Sequence, residues 1–226
     1  MNKELYKLVG ELNALRQSAK NGWGEKVVER AATELEKIAD IANFHAEITE
    51  EGIANAVNPG DHFVLCGVEW IALERHGDTM LSITAEPIDG KLVFDDGNSN
   101  KWSTSDIRQS LDDWLSGLYD PSGSAFKTMH DEQTDTAGEV VDKPCDDMAR
   151  LLTLEEYLRF MRLGYIKVDK AGAVRTWLWT MSAHRGNAYN VWFVTASGGV
   201  TNTYANFGYR VCPVCEIKLD AIKHIV

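Results

Sequence analysis

Over residues 1–50 the hydrophobic positions follow a helical period. Leu5, Leu8, Leu12, Leu15 and Ala19 recur at alternating steps of three and four, which puts them on one helical stripe. Gly22-Trp23-Gly24 interrupts that stripe, and a second runs through Val28, Ala31, Leu35, Ile38, Ala42 and His45. Glu25, Lys26, Glu29, Arg30, Glu34, Glu36 and Lys37 fall largely on its wet side. The pattern predicts two amphipathic helices joined at a glycine turn, a helical hairpin occupying residues 1–57. Two roles suit it: packing on its own chain, or homo-oligomer formation through the helices, since the spacing is heptad-like but short.

After Asn58-Pro59-Gly60-Asp61 the period drops to two, marking residues 58–226 as a second, β-rich domain. His62–Cys66 and Glu69–Glu74 are predicted as strands about Gly67, and a turn at His76-Gly77-Asp78 leads into Met80–Thr84. Ser103-Thr104-Ser105-Asp106 offers an N-cap for a helix that buries Ile107, Leu111, Trp114 and Leu115. Residues 120–148 are acidic and poor in apolar side chains, which predicts a long loop. Thr153-Leu154-Glu155-Glu156 has the form of a capping box opening a second short helix with Leu158, Phe160 and Met161. Strands are predicted again at Thr176–Thr180, at Asn190–Val194 before a Gly198-Gly199 turn, and from Tyr209 to Leu219.

Composition narrows the function classes. The 226 residues are 44% hydrophobic and 25% charged, as in a folded globular chain, with a net charge of −11. That balance argues against nucleic acid as a partner, which needs a basic face to release counterions, and against anionic membrane surfaces. No run approaches the roughly 20 apolar residues that span a bilayer, so no membrane insertion is expected. The opening MNKELYKLVGELNALRQ lacks the apolar core of a cleaved signal. This leaves the localisation unassigned and is consistent with synthesis in the cytoplasm.

Candidate chemistry is sparse. Cys66, Cys145, Cys212 and Cys215 are too few for a disulfide scaffold. Cys212-Pro213-Val214-Cys215 matches C-x-x-C, but its flanks read as strand, where positions i and i+3 face opposite ways and the thiols serve as small apolar residues. Asp95, Asp96, Asn98 and Asn100 are hard oxygen donors of the type calcium takes, but a solvated acidic turn is the better reading of them. The histidines show no metal-ligand spacing, and neither a Gly-x-Ser-x-Gly nucleophile nor a phosphate-cradling loop is present. No cofactor is expected.

Five short motifs in order suggest a relationship. They are Gly67-x-x-Trp70, Trp102-x-x-Ser105-x-Ile107-Arg108, Leu151-Leu152-Thr153-Leu154-Glu155-Glu156-Tyr157, Trp177-Leu178-Trp179-Thr180 and Tyr209-Arg210-Val211-Cys212-Pro213-Val214. Over residues 60–219 the chain resembles a group of bacterial and phage modules with the C-type-lectin-like fold, the superfold of the formylglycine-generating enzymes. Two departures stand out: Trp179-Thr180 replaces a usual Arg-Ser, and a cysteine precedes Pro213. The resemblance implies an α+β domain, with a twisted antiparallel sheet, two flanking helices, paired N- and C-terminal strands, and Trp70, Trp102, Trp114 and Trp177 in the core. It also implies a non-enzymatic binding module of a phage, prophage or bacterial surface protein, with a surface glycan or protein receptor as partner. A copper oxidase using Cys212 and Cys215, or a scaffold subunit, is the alternative. The corresponding segment in resembling phage proteins forms the binding face. Here it carries His184, Arg185, Asn187, Tyr189, Asn190, Trp192, Asn202, Tyr204 and Asn206, a mixture of rigid aromatic area and adaptable amides that suits recognition.

Overall fold

The alternating run after Gly60 forms a three-stranded meander: β1 (His62–Leu65), β2 (Val68–His76) and β3 (Thr79–Thr84). The structure, a computed structural model, describes residues 57–120, 123–167 and 177–222, which belong to the unit Ile53–Val226. Apart from Val57, the predicted helical hairpin lies outside the described residues. Leu65 pairs with Val68, so β1 and β2 are joined by two residues, Cys66 and Gly67, both at positive φ (54° and 77°). Two consecutive left-handed residues are what the right-handed twist of a tight hairpin requires, so Cys66 is spent on a turn.

Downstream come β4 (Leu92–Val93), a 3-10 turn at Trp102–Thr104 and helix α1 (Asp106–Ser116). The predicted loop at 120–148 instead contains three short strands, β5 (Phe126–Lys127), β6 (Met129–Asp131) and β7 (Cys145–Asp147). Strands this short carry too few residues for an alternation to register in sequence. Helix α2 (Leu154–Arg162) is followed by β8 (Leu178–Ala183), β9 (Asn190–Val194), β10 (Val200–Tyr204), β11 (Gly208–Tyr209) and β12 (Val214–Lys218). The expected single strand from Tyr209 to Leu219 is thus two, broken at Val211-Cys212-Pro213, where proline supplies no N–H to a ladder.

Among the described residues the main sheet has the order β1-β2-β3-β12-β5, a second sheet the order β10-β9-β8, and β4–β11 and β6–β7 form two small ribbons. Every strand pairing is antiparallel, which makes the fold α+β. Among the described residues the expected pairing of first and last strands is not found: β12 lies between β3 and β5, while β1 pairs only with β2. No helix among the described residues is long and apolar enough to cross a membrane.

The centre of the main sheet is buried on both faces. Trp70, Ala72 and Met80 point into one core with Ile107, Leu111 and Leu115 of α1; Ile71, Leu73, Leu81 and Ile83 point into another with Tyr157 and Phe160 of α2. Each such fully buried side chain contributes about 1.5–3 kcal/mol relative to exposure. Helix α2 turns Leu154, Tyr157 and Phe160 inward, while Leu158 and Met161 are half-buried at its flanks. Trp70 and Trp102 are buried as expected and Trp114 half so, but Trp177 is 47% exposed. Trp177 packs instead on the outside of an aromatic column, 5.7 Å from Phe193 and 5.4 Å from Tyr209 between ring centres.

Candidate functional site

The β9–β10 hairpin brings the predicted residues together. Asn190 stands opposite Tyr204 and Trp192 opposite Asn202, so all four share one face of the hairpin. The other face sends Val191 and Phe193 into the core. The Asn190 amide donates from Nδ2 to Asn202 Oδ1 at 2.7 Å, a diagonal bond across the two strands. Trp192 is half-buried, and the His184 imidazole stacks on it with ring centres 5.6 Å apart and planes 20° from parallel. Tyr204, 50% exposed, meets the equally exposed Phe207 edge-on; Tyr189 is 58% exposed. Arg185 and Asn206 are exposed at the neighbouring turns, and Asn187 is half-buried in the loop between β8 and β9.

That loop is held by its own backbone, by Asp135, 3.7 Å from the Arg185 guanidinium, and above all by Asn100. The His184 N–H donates to Asn190 O at 3.0 Å, the Asn190 N–H to Asn187 O at 3.3 Å, and the Tyr189 N–H to Asn187 Oδ1 at 2.9 Å. From the turn before α1, the Asn100 amide donates to both Asn187 O (2.9 Å) and Asn190 O (3.2 Å), while its backbone N–H reaches Ala188 O at 2.9 Å. Asn100 is itself fixed by the buried Gln133, whose Nε2 donates to Asn100 O (2.7 Å) and Met181 O (2.8 Å) and whose Oε1 accepts the Trp102 N–H (3.0 Å). The Trp102 indole N–H in turn donates to Asp147 (2.7 Å), and Arg108 holds the same carboxylate at 2.6 Å. A chain of satisfied polar groups therefore runs from α1 to the candidate loop, and such networks make a loop rigid before anything binds.

Asn100 and Gln133 escaped the sequence reading. In sequence Asn100 falls within the acidic turn whose oxygen donors are of the type calcium takes, and Gln133 within a stretch without periodicity. The acidic turn has structural work: Asp95 Oδ1 accepts the Ser99 N–H at 2.8 Å, and Asp106 accepts the Asp96 N–H at 2.7 Å. Among the described residues no three His, Cys, Asp or Glu side chains are grouped to hold a metal ion.

Beneath the face, three buried polar atoms have no hydrogen-bond partner: His184 Nδ1, Asn190 Oδ1 and Trp192 Nε1. A buried unpaired group of this kind costs about 1–3 kcal/mol. Together they hold one donor, one acceptor and one nitrogen that is either, according to tautomer. These atoms lie under the surface, and what the face presents to solvent is the exposed rings of Tyr189, Tyr204 and Phe207.

The remaining polar clusters are built differently. Arg150, buried, donates to both Glu156 oxygens (2.9 and 2.8 Å) and lies 3.0 Å from Asp131 Oδ2, misaligned for a hydrogen bond. Burial works against its charge, but Glu156, Asp131 and Glu216 outweigh it and raise its pKa. This cluster ties β6, α2 and β12 together in the interior. All four cysteines are free, and desolvation raises every thiol: Cys212 to about 12, with Cys66, Cys145 and Cys215 also shifted up. Reactive or metal-binding thiols need the opposite shift. Cys215 packs in one core and Cys212 against the other. A groove of about 640 Å³ lined by Val68, Pro87, Ile88 and Trp114 together with Glu69, Glu86, Asp89 and Asp113 holds none of the predicted site residues. Set beside protein-family models, curated proteins and solved structures, the chain finds no match in any of the three comparisons.

Proposed function

We propose that the chain is a non-enzymatic recognition module of C-type-lectin-like fold from a phage, prophage or bacterial surface assembly. It binds an uncharged surface, a glycan or a receptor protein, through the β9–β10 face. One observation carries the binding reading. From Gly186 to Tyr209 there is no charged side chain, in a chain that is 25% charged, and this stretch presents Tyr189, Tyr204 and Phe207 over a pre-arranged amide and imidazole cluster. Rigid aromatic anchors beside adaptable amides give contact area at low entropic cost. The fold reading draws on the antiparallel sheet with a helix against each face and on the order of the five motifs; the position of β12 beside β3 departs from it.

Screening the chain on immobilised glycans and bacterial surface proteins tests this. The triple variant Tyr189→Ala, Asn190→Ala, Tyr204→Ala is expected to lose the captured ligand while its melting temperature stays within a few degrees, since the exposed tyrosines cost on the order of 0.5 kcal/mol each and the half-buried Asn190 gives up one hydrogen bond, about 1 kcal/mol. Retained binding with a large loss of stability would place these side chains in the core and overturn the assignment.

A further inference from the structure

The outer edge of β10 carries unused strand-pairing capacity. Two bonds bracket the β9–β10 ladder: Thr195 N–H to Gly199 O at 2.7 Å and Ala205 N–H to Tyr189 O at 2.8 Å. Hydrogen-bonded pairs alternate in an antiparallel ladder, so Phe193/Thr201 and Val191/Thr203 exchange the bonds between them. The N–H and C=O groups of Val200, Asn202 and Tyr204 therefore point away from β9. Of these, among the described residues, only Tyr204 O has a partner, the Phe207 N–H at 3.1 Å, and a carbonyl can accept a second bond. β10 ends its sheet, its register is regular, and Val200, Thr201 and Tyr204 are exposed. The protections usual for such an edge, a lysine, a proline or a bulge, are missing from Val-Thr-Asn-Thr-Tyr.

We infer that β10 pairs with β10 of a second copy of the chain, antiparallel about a two-fold axis through Asn202. The strand is self-complementary in that register. Asn202 meets Asn202, each outward Val200 meets Tyr204, and Thr201 meets Thr203, so all the outward backbone groups are matched at once. Shifting the register by one step on either side leaves an outward residue unmatched. A β-branched side chain beside an aromatic ring, twice over, is a favourable cross-strand pair. Charge permits the approach: each copy carries −11, but none of it lies between Gly186 and Tyr209. The product is one continuous sheet, β8-β9-β10-β10-β9-β8, with both Trp192 faces on the same side. If the recognition reading above is right, the dimer is bivalent, and a multivalent surface is held by both faces.

Sedimentation equilibrium on the full chain, up to about 1 mM where weak specific pairs associate, tests the inference. The wild type is expected to reach twice its 25.2 kDa mass. Two variants attack the edge independently: Val200→Pro, at the first residue of β10, removes an outward N–H that the hairpin does not use, and Thr201→Lys places a charge beside the axis. Both are expected to remain monomers with wild-type circular dichroism. A wild type that stays monomeric throughout would overturn the pairing, as would a dimer that persists in whichever variant retains the native spectrum.

Discussion

Asn100 shows how a single side chain can set a recognition surface it does not join. Its amide supplies both donors to the carbonyls of Asn187 and Asn190, and no other side chain spans from the α1 side to that loop among the bonds of the described residues. Removing it takes one of two hydrogen bonds from each carbonyl, which keeps its backbone donor, at about 0.5–1.5 kcal/mol per bond. Asn100→Ala is expected to speed amide hydrogen exchange at His184, Tyr189 and Asn190 while β2 and β3 keep their protection. Uniform acceleration across the chain would mean that the residue supports the whole fold and not the loop. Gln133 stands one step further back, and Trp177 is the converse case, an indole that covers Phe193 and Tyr209 from outside.

Helix α2 is short, and its N-terminus is secured more heavily than its length suggests. Thr153 accepts the Glu156 N–H at 3.1 Å while Glu156 accepts the Thr153 N–H at 2.8 Å, and the same carboxylate neutralises the buried Arg150. Burial alone would raise the Glu156 pKa, but the charge and hydrogen bonds of Arg150, with those of Thr153, hold it below the usual glutamate range. A carboxylate lowered in the folded state contributes stability in full above its unfolded value, about 4.3, and loses it as pH falls through the lower folded value. Glu156→Gln is therefore expected to cost about 3–5 kcal/mol at neutral pH, as for a broken buried pair, and to flatten the decline in melting temperature below pH 4.3. A variant that declines as steeply as the wild type would assign the acid sensitivity to other carboxylates.

For the molecule as a whole, the described residues from Val57 to Ile222 supply two cores, one on each face of the central strands. Both close around β2, β3 and β12, whose side chains alternate between them. Deleting residues 1–52 is accordingly expected to leave one cooperative thermal transition and the native far-ultraviolet spectrum. A broad, non-cooperative melt would show that the N-terminal residues complete a core.

Local patterns carried much of this in advance. The meander, α1 with Ile107, Leu111 and Leu115, the capping box at Thr153 and the β9 boundaries all follow from periodicity and turn chemistry, which depend on neighbours within a few residues. The β9–β10 segment was legible as a candidate face because its amide and aromatic composition is itself local. Contacts between distant segments were not legible. Nothing near Asn100 announces a loop 87 residues away, nothing near Gln133 announces Trp102, and β12 takes its place beside β3 and not β1 only once both cores are packed. The short strands between Phe126 and Asp147 and the outward half of β10 belong to the same class, because pairing across a sheet is settled by which strands meet and not by the residues of either strand alone.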